Sequence, residues 1–243
     1  MLGRSDLDGL TFLDAGSGSG LFSLAAVRLG AQRVRSFDYD PHSVECTQEL
    51  RRRYAPRAAE WIVERGDALD GDYVRSLGRF DVAYSWGVLH HTGNMWVALD
   101  NIAGTVADGG RLFIAIYNDQ GYRSDLWRAV KRSYNVLPPA LRLALTLLVL
   151  IPREGLAALK AVTRGRPQDY LRGWTDYKSS RGMSRWHDLV DWVGGYPFEV
   201  ARPEAIFDFV RERGFTLERL TTCGGKLGCN EYVFVRTQAP SSP

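Results

Sequence analysis

The chain has little cysteine, little net charge and no long apolar run. Its three cysteines are scattered and odd in number, which argues against a disulfide framework and favours a reducing cytoplasm. A net charge of +3 is too small to indicate nucleic acid as a partner. The longest apolar run, residues 143–151, is far short of the roughly 20 residues that cross a bilayer. The first residues do not follow the signal-peptide pattern.

The first 117 residues alternate strand patterns with helix patterns. The five strand candidates read TFLDAG, RVRSFDYD, WIVERGDAL, FDVAYSWG and RLFIAIYND. Helices are expected after the first strand, from Pro41 onward, and over residues 94–107 with an end near Asp108. Apolar strands that alternate with helices indicate a parallel sheet covered on both faces.

The pattern changes at residue 118. Residues 118–200 contain helical stretches and many tryptophans, and carry 13 of the 31 basic but 8 of the 28 acidic residues. An amphipathic helix and two closing strands follow, and residues 238–243 are expected to be disordered. We therefore predict an α/β fold with a doubly wound, mostly parallel seven-stranded sheet, built from residues 1–117 and 201–237. Residues 118–200 would be a helical insertion that serves as a lid or substrate subdomain.

The stretch FLDAGSGSG, residues 12–20, places one acid and three glycines between the first strand and the first helix. In a doubly wound sheet, ligands bind at the carboxyl ends of the strands, where the strand order reverses. Glycines in that loop permit positive φ and let a ligand approach the backbone. The spacing D-x-G-x-G-x-G fits neither the G-x-G-x-x-G of dinucleotide sites nor the lysine-containing P-loop.

This glycine stretch resembles motif I of the class I S-adenosylmethionine-dependent methyltransferases, and four later segments resemble further motifs of that family in order. They read FDYD, GDALD, FDVAYSWGVLHHTGN and ADGGRLFIAIY. The resemblance covers residues 11–117 and 201–236. It implies a Rossmann-like methyltransferase fold, S-adenosyl-L-methionine as cofactor and S-adenosyl-L-homocysteine as product. The motifs most resemble those of methyltransferases that act on small molecules, including those of quinone and natural-product pathways.

The resemblance also implies cofactor contacts around the glycine loop. Asp14 would face the cationic end of the cofactor, or else bond the loop amides. The amides of residues 16–20 would meet the cofactor carboxylate near a helix N-terminus. The full set of cofactor-binding residues predicted in this way is Asp14, Gly16, Ser17, Gly18, Gly20, Asp38, Tyr39, Asp67, Ala68 and Trp86.

The acids after the second and third strands would hold the nucleoside. Asp38 would accept both ribose hydroxyls, because a carboxylate has two acceptor oxygens. Asp40 precedes Pro41 directly, so we expect it to be a helix N-cap instead. Asp67 would accept from the adenine amino group while the amide of Ala68 faces a ring nitrogen. A turn acid is the alternative for Asp67.

Three residues are candidates for a catalytic base. Methyl transfer is an in-line displacement, so the protein mainly positions the nucleophile and excludes water. A hydroxyl nucleophile usually also needs a base, whereas a neutral amine can react without one. His90 and His91 lie in the loop that borders the methyl group in this family, and Asp119 follows the fifth strand. A structural or capping role is the alternative for each. The pair His187 and Asp188 is a further candidate that a helix start explains equally well.

The expected acceptor is a small molecule attacked at an O or N atom, and no metal is expected. A macromolecular acceptor, RNA or protein, is disfavoured by the small net charge and by the missing Asn/Asp-Pro-Pro-aromatic signature of many base N-methylating enzymes. Residues 137–166 are apolar with basic residues spread through them. They would contact a membrane surface and a lipid-tailed, quinone-like substrate, or form a lid helix or a homodimer contact.

Overall fold

The computed structural model describes residues 5–58, 60–177 and 185–237. The chain divides into two compact units. The core unit is Met1–Gln120 with Glu199–Pro243, and the helical unit is Gly121–Phe198. The tail that was expected to be disordered, residues 238–243, lies outside the described residues.

Seven strands among the described residues form one sheet in the core unit. They are β1 (Thr11–Ala15), β2 (Arg33–Asp38), β3 (Trp61–Arg65), β4 (Phe80–Trp86), β5 (Val106–Tyr117), β6 (Phe215–Thr221) and β7 (Cys229–Arg236). Their order is β3-β2-β1-β4-β5-β7-β6. The pairs among β1 to β5 are parallel, and β7 runs antiparallel to β5 and β6. The predicted doubly wound, mostly parallel seven-stranded sheet is confirmed.

Five helices lie between strands of the core unit, and four helices form the helical unit in the described residues. They are α1 (Leu21–Arg28), α2 (Pro41–Tyr54), α3 (Gly71–Ser76), α4 (Met95–Gly104), α5 (Tyr122–Val136), α6 (Pro139–Thr163), α7 (Pro167–Thr175), α8 (Arg185–Gly194) and α9 (Pro203–Arg211). Helix α2 begins at Pro41, and the Asp40 carboxylate accepts from the backbone N–H groups of His42 and Ser43 at 3.3 and 3.0 Å. The predicted helix start and the predicted N-cap role of Asp40 are therefore confirmed.

The expected helix over residues 94–107 is wrong at its C-terminal end. Helix α4 ends at Gly104, and β5 already begins at Val106. Strand β4 pairs with β5 through Phe80↔Val106 and then through Val82↔Arg111, so the residues between these two pairs bulge out of the sheet. A bulge keeps the strand continuous while interrupting its apolar pattern, and this interruption made the segment look like a helix end followed by a turn.

Apolar side chains pack on both faces of the sheet. Phe12 and Leu13 of β1 belong to two different buried clusters, because successive side chains of a strand point to opposite faces. The cluster of Leu13 also contains Leu99 of α4 and Ile206 of α9. The cluster of Phe12 contains Leu24 of α1. Burial of both faces explains why the strands are apolar at consecutive positions.

The helical unit has a buried lysine between two of its helices. The ammonium of Lys131 in α5 donates to the carbonyl oxygen of Trp192 in α8. It lies 4.6 Å from the ring centroid of Trp192 and 5.0 Å from that of Phe198. Burial lowers the pKa of Lys131 to about 8, and the aromatic rings offset part of this penalty. Over the described ranges, no helix combines the length and apolarity needed to cross a bilayer.

Candidate cofactor site

The glycine loop between β1 and α1 is closed by its own backbone amides. The N–H groups of Gly16 and Ser17 donate to the carbonyl oxygen of Phe37 at 2.9 and 3.0 Å, and that of Gly20 donates to Ser17. The N–H of Gly18 donates to the Asp38 carboxylate at 2.9 Å. The sequence had suggested that the loop amides bind the cofactor carboxylate. In the structure, the N–H groups of Gly16, Ser17, Gly18 and Gly20 are instead bonded within the protein. Their bonds are needed to hold the turn, and the loop offers a ligand close backbone approach instead.

The three glycines of this loop have positive φ, with values of 81°, 53° and 77° for Gly16, Gly18 and Gly20. A Cβ on Gly16 would lie 2.4 Å from both methyl carbons of Val88, in the loop after β4. A Cβ on Gly20 would lie 2.8 Å from the side chain of Thr47 in α2. A Cβ on Gly18 would meet nothing within 4 Å. Gly16 and Gly20 thus permit packing within the protein, whereas Gly18 borders open space.

Asp38 at the end of β2 holds the loop and keeps acceptor capacity. Its Oδ2 accepts from Gly18 N–H at 2.9 Å and its Oδ1 accepts from Asp40 N–H at 3.0 Å. Each carboxylate oxygen has about two acceptor positions, so both oxygens can accept a further bond from a vicinal diol. The carboxylate of Asp40 is occupied by the N-terminus of α2. This geometry fits the predicted preference for Asp38 as the ribose partner.

Asp14 lies beneath the loop in a buried polar chain. The Ser23 hydroxyl of α1 donates to its Oδ2, the Ser23 and Ser36 hydroxyls are 2.7 Å apart, and the Trp61 indole donates to Ser36 at 2.8 Å. Burial is the main cause that raises the pKa of Asp14 to about 6. The bond to Ser23 opposes this rise and the charge of Asp38 adds to it. The contact of Asp14 with a cationic ligand stays a prediction.

Replacing Asp14 with asparagine is expected to change how stability depends on pH. A carboxyl group whose folded-state pKa is above its unfolded value stabilises the fold at low pH, and this contribution is lost as pH rises through the folded value. For a pKa that rises from 3.8 to about 6 on folding, the wild type loses about 3 kcal/mol of its free energy of unfolding. Urea unfolding between pH 4 and 7 should therefore show the free energy of unfolding of D14N increasing relative to that of the wild type, by up to this amount. A constant difference over this range would contradict the assigned pKa.

Thr47 of α2 supports the loop and was not found from the sequence. Its hydroxyl donates to the carbonyl oxygen of Gly18 at 3.1 Å and lies 3.2 Å from the Ser17 hydroxyl. Thr47 is completely buried. The available signal was its place three residues after the buried Val44, on the inward face of an amphipathic helix.

The loop after β3 holds the residues predicted to face adenine. Asp67 accepts from the backbone N–H of Leu69 at 2.8 Å, which is the turn-acid geometry that was the alternative for this residue. Ala68 is buried, and its carbonyl oxygen accepts from the Asn101 side chain at 2.9 Å. The ring of Tyr39, after β2, is 65% exposed. Binding of adenine by Asp67 and Ala68 stays a prediction.

His90 and His91 lie in a short 3-10 helix, Leu89–His91, after β4. The ring centroid of Tyr117, at the end of β5, is 4.0 Å from that of His90 and 5.4 Å from that of His91. His90 is completely buried, whereas His91 is partly exposed. The structure therefore brings both predicted histidines to the carboxyl ends of β4 and β5, and exposes one of them.

Glu199 fixes the loop that carries these histidines. Its N–H donates to the carbonyl oxygen of His90 at 2.9 Å. Its carboxylate accepts from the N–H of Met95, the first residue of α4, at 3.0 Å. A carboxylate at a helix N-terminus is favourable, so Glu199 ties the His90 loop to α4. The sequence did not reveal this role, because Glu199 lies about a hundred residues away along the chain.

The remaining predicted residues lie at the ends of β4 and β5. A carboxylate oxygen of Asp119 is 3.7 Å from Arg202 Nε, an ion pair that the sequence did not predict. The indole of Trp86 donates to Glu231 of β7 at 2.9 Å, and the side chain is 41% exposed. The side chains of the pair at 187 and 188 lie outside the described residues. Within the described residues, no group of three or more His, Cys, Asp or Glu is placed to hold a metal ion.

The sheet order places these loops around one point. Strand β1 lies between β2 and β4, so the connections after β1 and β4 leave in opposite directions, and this is where ligands bind in such sheets. A family model described as a methyltransferase domain matches residues 13–112. This match agrees with the predicted resemblance to the class I S-adenosylmethionine-dependent methyltransferases. The open space beside Gly18 and the two oxygens of Asp38 fit the predicted cofactor, S-adenosylmethionine.

Solved structures of methyltransferases share this fold. Magnesium protoporphyrin IX methyltransferase (ChlM) from Synechocystis PCC 6803, with bound SAH, is 16% identical at a TM-score of 0.54 and covers 95% of this chain and 76% of its own. The N-methyltransferase NodS from Bradyrhizobium japonicum WM9, also with SAH, is 16% identical at a TM-score of 0.51, with coverages of 95% and 80%. A methyltransferase from Mesorhizobium loti is 15% identical at a TM-score of 0.54, with coverages of 96% and 94%.

Curated relatives match over a shorter stretch. The ribosomal protein L11 methyltransferase of Alteromonas mediterranea is 48% identical over 48 residues, which are 20% of this chain and 16% of that protein. The protein of the same name from Xanthomonas campestris pv. campestris is 41% identical over 58 residues, or 24% and 19%. The chain therefore spans less than a fifth of the length of these two relatives.

Proposed function

We propose that the protein transfers a methyl group from S-adenosylmethionine to an O or N atom of a small molecule. The observation that carries this proposal is the acid-flanked glycine loop at the switch point of the sheet, with open space beside Gly18. The cofactor supplies an electrophilic methyl group on a cationic sulfur. The nucleophile bonds to the methyl carbon as the carbon–sulfur bond breaks, and S-adenosylhomocysteine leaves.

The residues of this chain would bind the cofactor, orient the acceptor and remove its proton. Asp38 accepts the ribose hydroxyls and, with Thr47, keeps the loop in shape. Asp67 and Ala68 hold the adenine. For a hydroxyl acceptor, His91 takes the proton, because it is the partly exposed histidine of the two.

Replacing His91 with glutamine is expected to reduce turnover of a hydroxyl acceptor by about 100-fold or more, because a positioned base contributes about that much. The affinity for S-adenosylhomocysteine should stay within about twofold, since the base acts on the acceptor. The measurement is single-turnover methyl transfer with H91Q, H90Q and D119N side by side. Full turnover in H91Q would contradict its role, and a selective loss in D119N would move the base to Asp119.

The acceptor class can be tested without knowing the acceptor. A cell extract is separated into small-molecule, protein and RNA fractions, and each is incubated with the protein and methyl-labelled S-adenosylmethionine. The proposal expects label in the small-molecule fraction. Label in the protein or RNA fraction would contradict it. A protein acceptor is the alternative suggested by the ribosomal protein L11 methyltransferases, although those matches of 48 and 58 residues cover too little chain to carry the choice of acceptor.

A lipid-tailed acceptor at a membrane surface is a second candidate, favoured by α6. Large apolar side chains of this helix are 39–71% exposed; they are Leu141, Leu143, Leu147, Leu148, Ile151, Leu156, Leu159 and Val162. Such a face suits peripheral contact with lipid through residues 137–166, or a homodimer. Co-sedimentation with anionic phospholipid vesicles tests the membrane contact, and its absence at low salt would remove this candidate.

We propose that the helical unit selects the acceptor, because the predicted cofactor-binding residues all lie in the core unit. Its tryptophans and tyrosines supply aromatic walls, and its basic residues suit an anionic group on the acceptor. The three cysteines of the chain are free, which agrees with the proposed cytoplasmic location.

A further inference from the structure

A second concavity of the core unit lies at the end of the sheet where the parallel strands begin, opposite the predicted cofactor site. It has a volume of about 500 Å³ and lies where α3 and α4 end and where β4 and β5 begin. Its ionisable lining consists of one carboxylate, Asp100, and four arginines; these are Arg75, Arg79, Arg213 and Arg236. We call it the arginine pocket. Small-molecule sites have volumes of about 300–1,000 Å³, so its size fits a ligand rather than a single ion.

Two of these guanidinium groups converge on one atom. Arg79 and Arg236 both donate through Nη1 to the carbonyl oxygen of Val106, at 3.0 and 3.4 Å. Burial, and then the neighbouring charge of Arg79, lowers the pKa of Arg236. Among the described residues, the buried Nε of Arg236 has no hydrogen-bond partner. Each guanidinium has five N–H donors, so one shared carbonyl leaves most of this donor capacity unused.

Part of this basic lining has a purely structural explanation. Arginines favour helix C-termini, where they meet free carbonyl groups. Arg213 pairs with Asp100, and Arg75 pairs with Asp72. These pairs balance two of the four positive charges.

The other two charges are not balanced in the same way. Arg79 is 3.8 Å from Asp108, a long and exposed contact. Among the described residues, Arg236 has no carboxylate within 4 Å, although the more distant charge of Asp108 partly opposes the fall in its pKa. Capping does not explain why a strand residue, Arg236, brings a second cation to a carbonyl that Arg79 already contacts. An anion with several oxygens would satisfy both groups and remove their mutual repulsion.

We propose that the arginine pocket binds a small ligand carrying two or more phosphate groups. Paired guanidinium groups match phosphate oxygens in geometry and charge. A concavity around one point of convergence suits a compact polyanion better than a nucleic acid, which would need an extended basic stripe. The ligand would bind at the edge of the sheet away from the glycine loop, so this site does not depend on the proposed methyl transfer.

The test is calorimetric titration of the whole chain with inorganic pyrophosphate at low ionic strength. The expected result is one site per chain, with orthophosphate at least about fivefold weaker because it offers fewer oxygens to two guanidinium groups. The double variant R79Q/R236Q should bind pyrophosphate at least about tenfold more weakly. The single variant R79Q, at a side chain that is 58% exposed, should show most of this loss without risk to folding.

A control variant removes a positive charge elsewhere on the surface. R52Q changes an exposed arginine of α2 that pairs with Glu49, and it should leave pyrophosphate affinity within about twofold. S-adenosylhomocysteine affinity should be unchanged in all variants, which shows that they are folded. The absence of pyrophosphate binding by the wild type would overturn the proposal, as would equal affinity in R79Q and R52Q. Tighter binding of a single-stranded RNA oligonucleotide that depends on the same arginines would overturn the small-ligand assignment.

Discussion

Replacing Gly16 with alanine is expected to weaken binding of S-adenosylhomocysteine by at least about 100-fold and to destabilise the fold. The new Cβ would lie 2.4 Å from both methyl carbons of Val88 and 2.9 Å from its Cβ, and a short, branched side chain cannot move aside without the backbone. Such overpacking costs about 1–3 kcal/mol. The left-handed backbone at φ 81° adds about 1–2 kcal/mol for any residue with a Cβ. The loop after β1 or the loop after β4 must therefore shift.

The matched control for G16A is G109A. Gly109 also has positive φ, at 74°, but a Cβ there would meet nothing within 4 Å. G109A should lose about 1–2 kcal/mol of its free energy of unfolding, because only the left-handed backbone conformation is unfavourable there. Its cofactor affinity should stay within about threefold of that of the wild type. Urea unfolding and calorimetry on both variants separate the two contributions. Wild-type affinity in G16A would show that this loop is not part of the cofactor site.

Replacing Asp38 with asparagine is expected to weaken cofactor binding by about 10- to 100-fold, since a hydrogen bond to a charged group contributes about 1.5–3 kcal/mol. Asparagine keeps one acceptor oxygen, so the bond from Gly18 can survive while a two-pronged bond to a diol cannot. The change should appear in the affinities for both S-adenosylmethionine and S-adenosylhomocysteine, because the ribose is common to the two.

Asp40 offers the control for D38N, two residues away. Asparagine is as good an N-cap as aspartate, so D40N should leave α2 and the cofactor affinity nearly unchanged, within about threefold. The reverse pattern, with a large loss in D40N and none in D38N, would make Asp40 the ribose partner. Equal losses would indicate that general negative charge is what matters.

Most of the sheet could be predicted from the sequence, because its signals are local. Consecutive apolar residues identified β1, β4 and β5, and proline at the first helical position located the start of α2 at Pro41. The neighbouring acids Asp38 and Asp40 could be given different roles from one local fact, the proline that follows Asp40. The end of α4 was misplaced because a bulge before Arg111 breaks the apolar pattern of β5.

The supports of the site could not be predicted, because they join distant parts of the chain. Thr47 and Glu199 look like an ordinary buried helix residue and an ordinary surface acid in the sequence. Only the fold brings Thr47 to Gly18 and Glu199 to the His90 loop. The sequence placed the Asp14 carboxylate against the cofactor or the loop amides, and it gave no sign of the buried hydrogen bond from the Ser23 hydroxyl.

The arginine pocket illustrates the same limit. Its arginines come from α3, the turn before β4, the turn after α9 and the end of β7. No spacing along the chain links them. Their convergence follows from the sheet order, which places the start of β5 next to the start of β4 and the end of β7.

A crystal structure with bound S-adenosylhomocysteine shows whether Asp38 and the glycine loop hold the nucleoside of the cofactor. We expect both ribose hydroxyls at about 2.5–3.0 Å from the Asp38 oxygens, with the amino acid chain of the cofactor passing beside Gly18. A nucleoside bound elsewhere, or an Asp38 carboxylate that contacts only Gly18 and Asp40 N–H groups while the ribose lies out of reach, would contradict it.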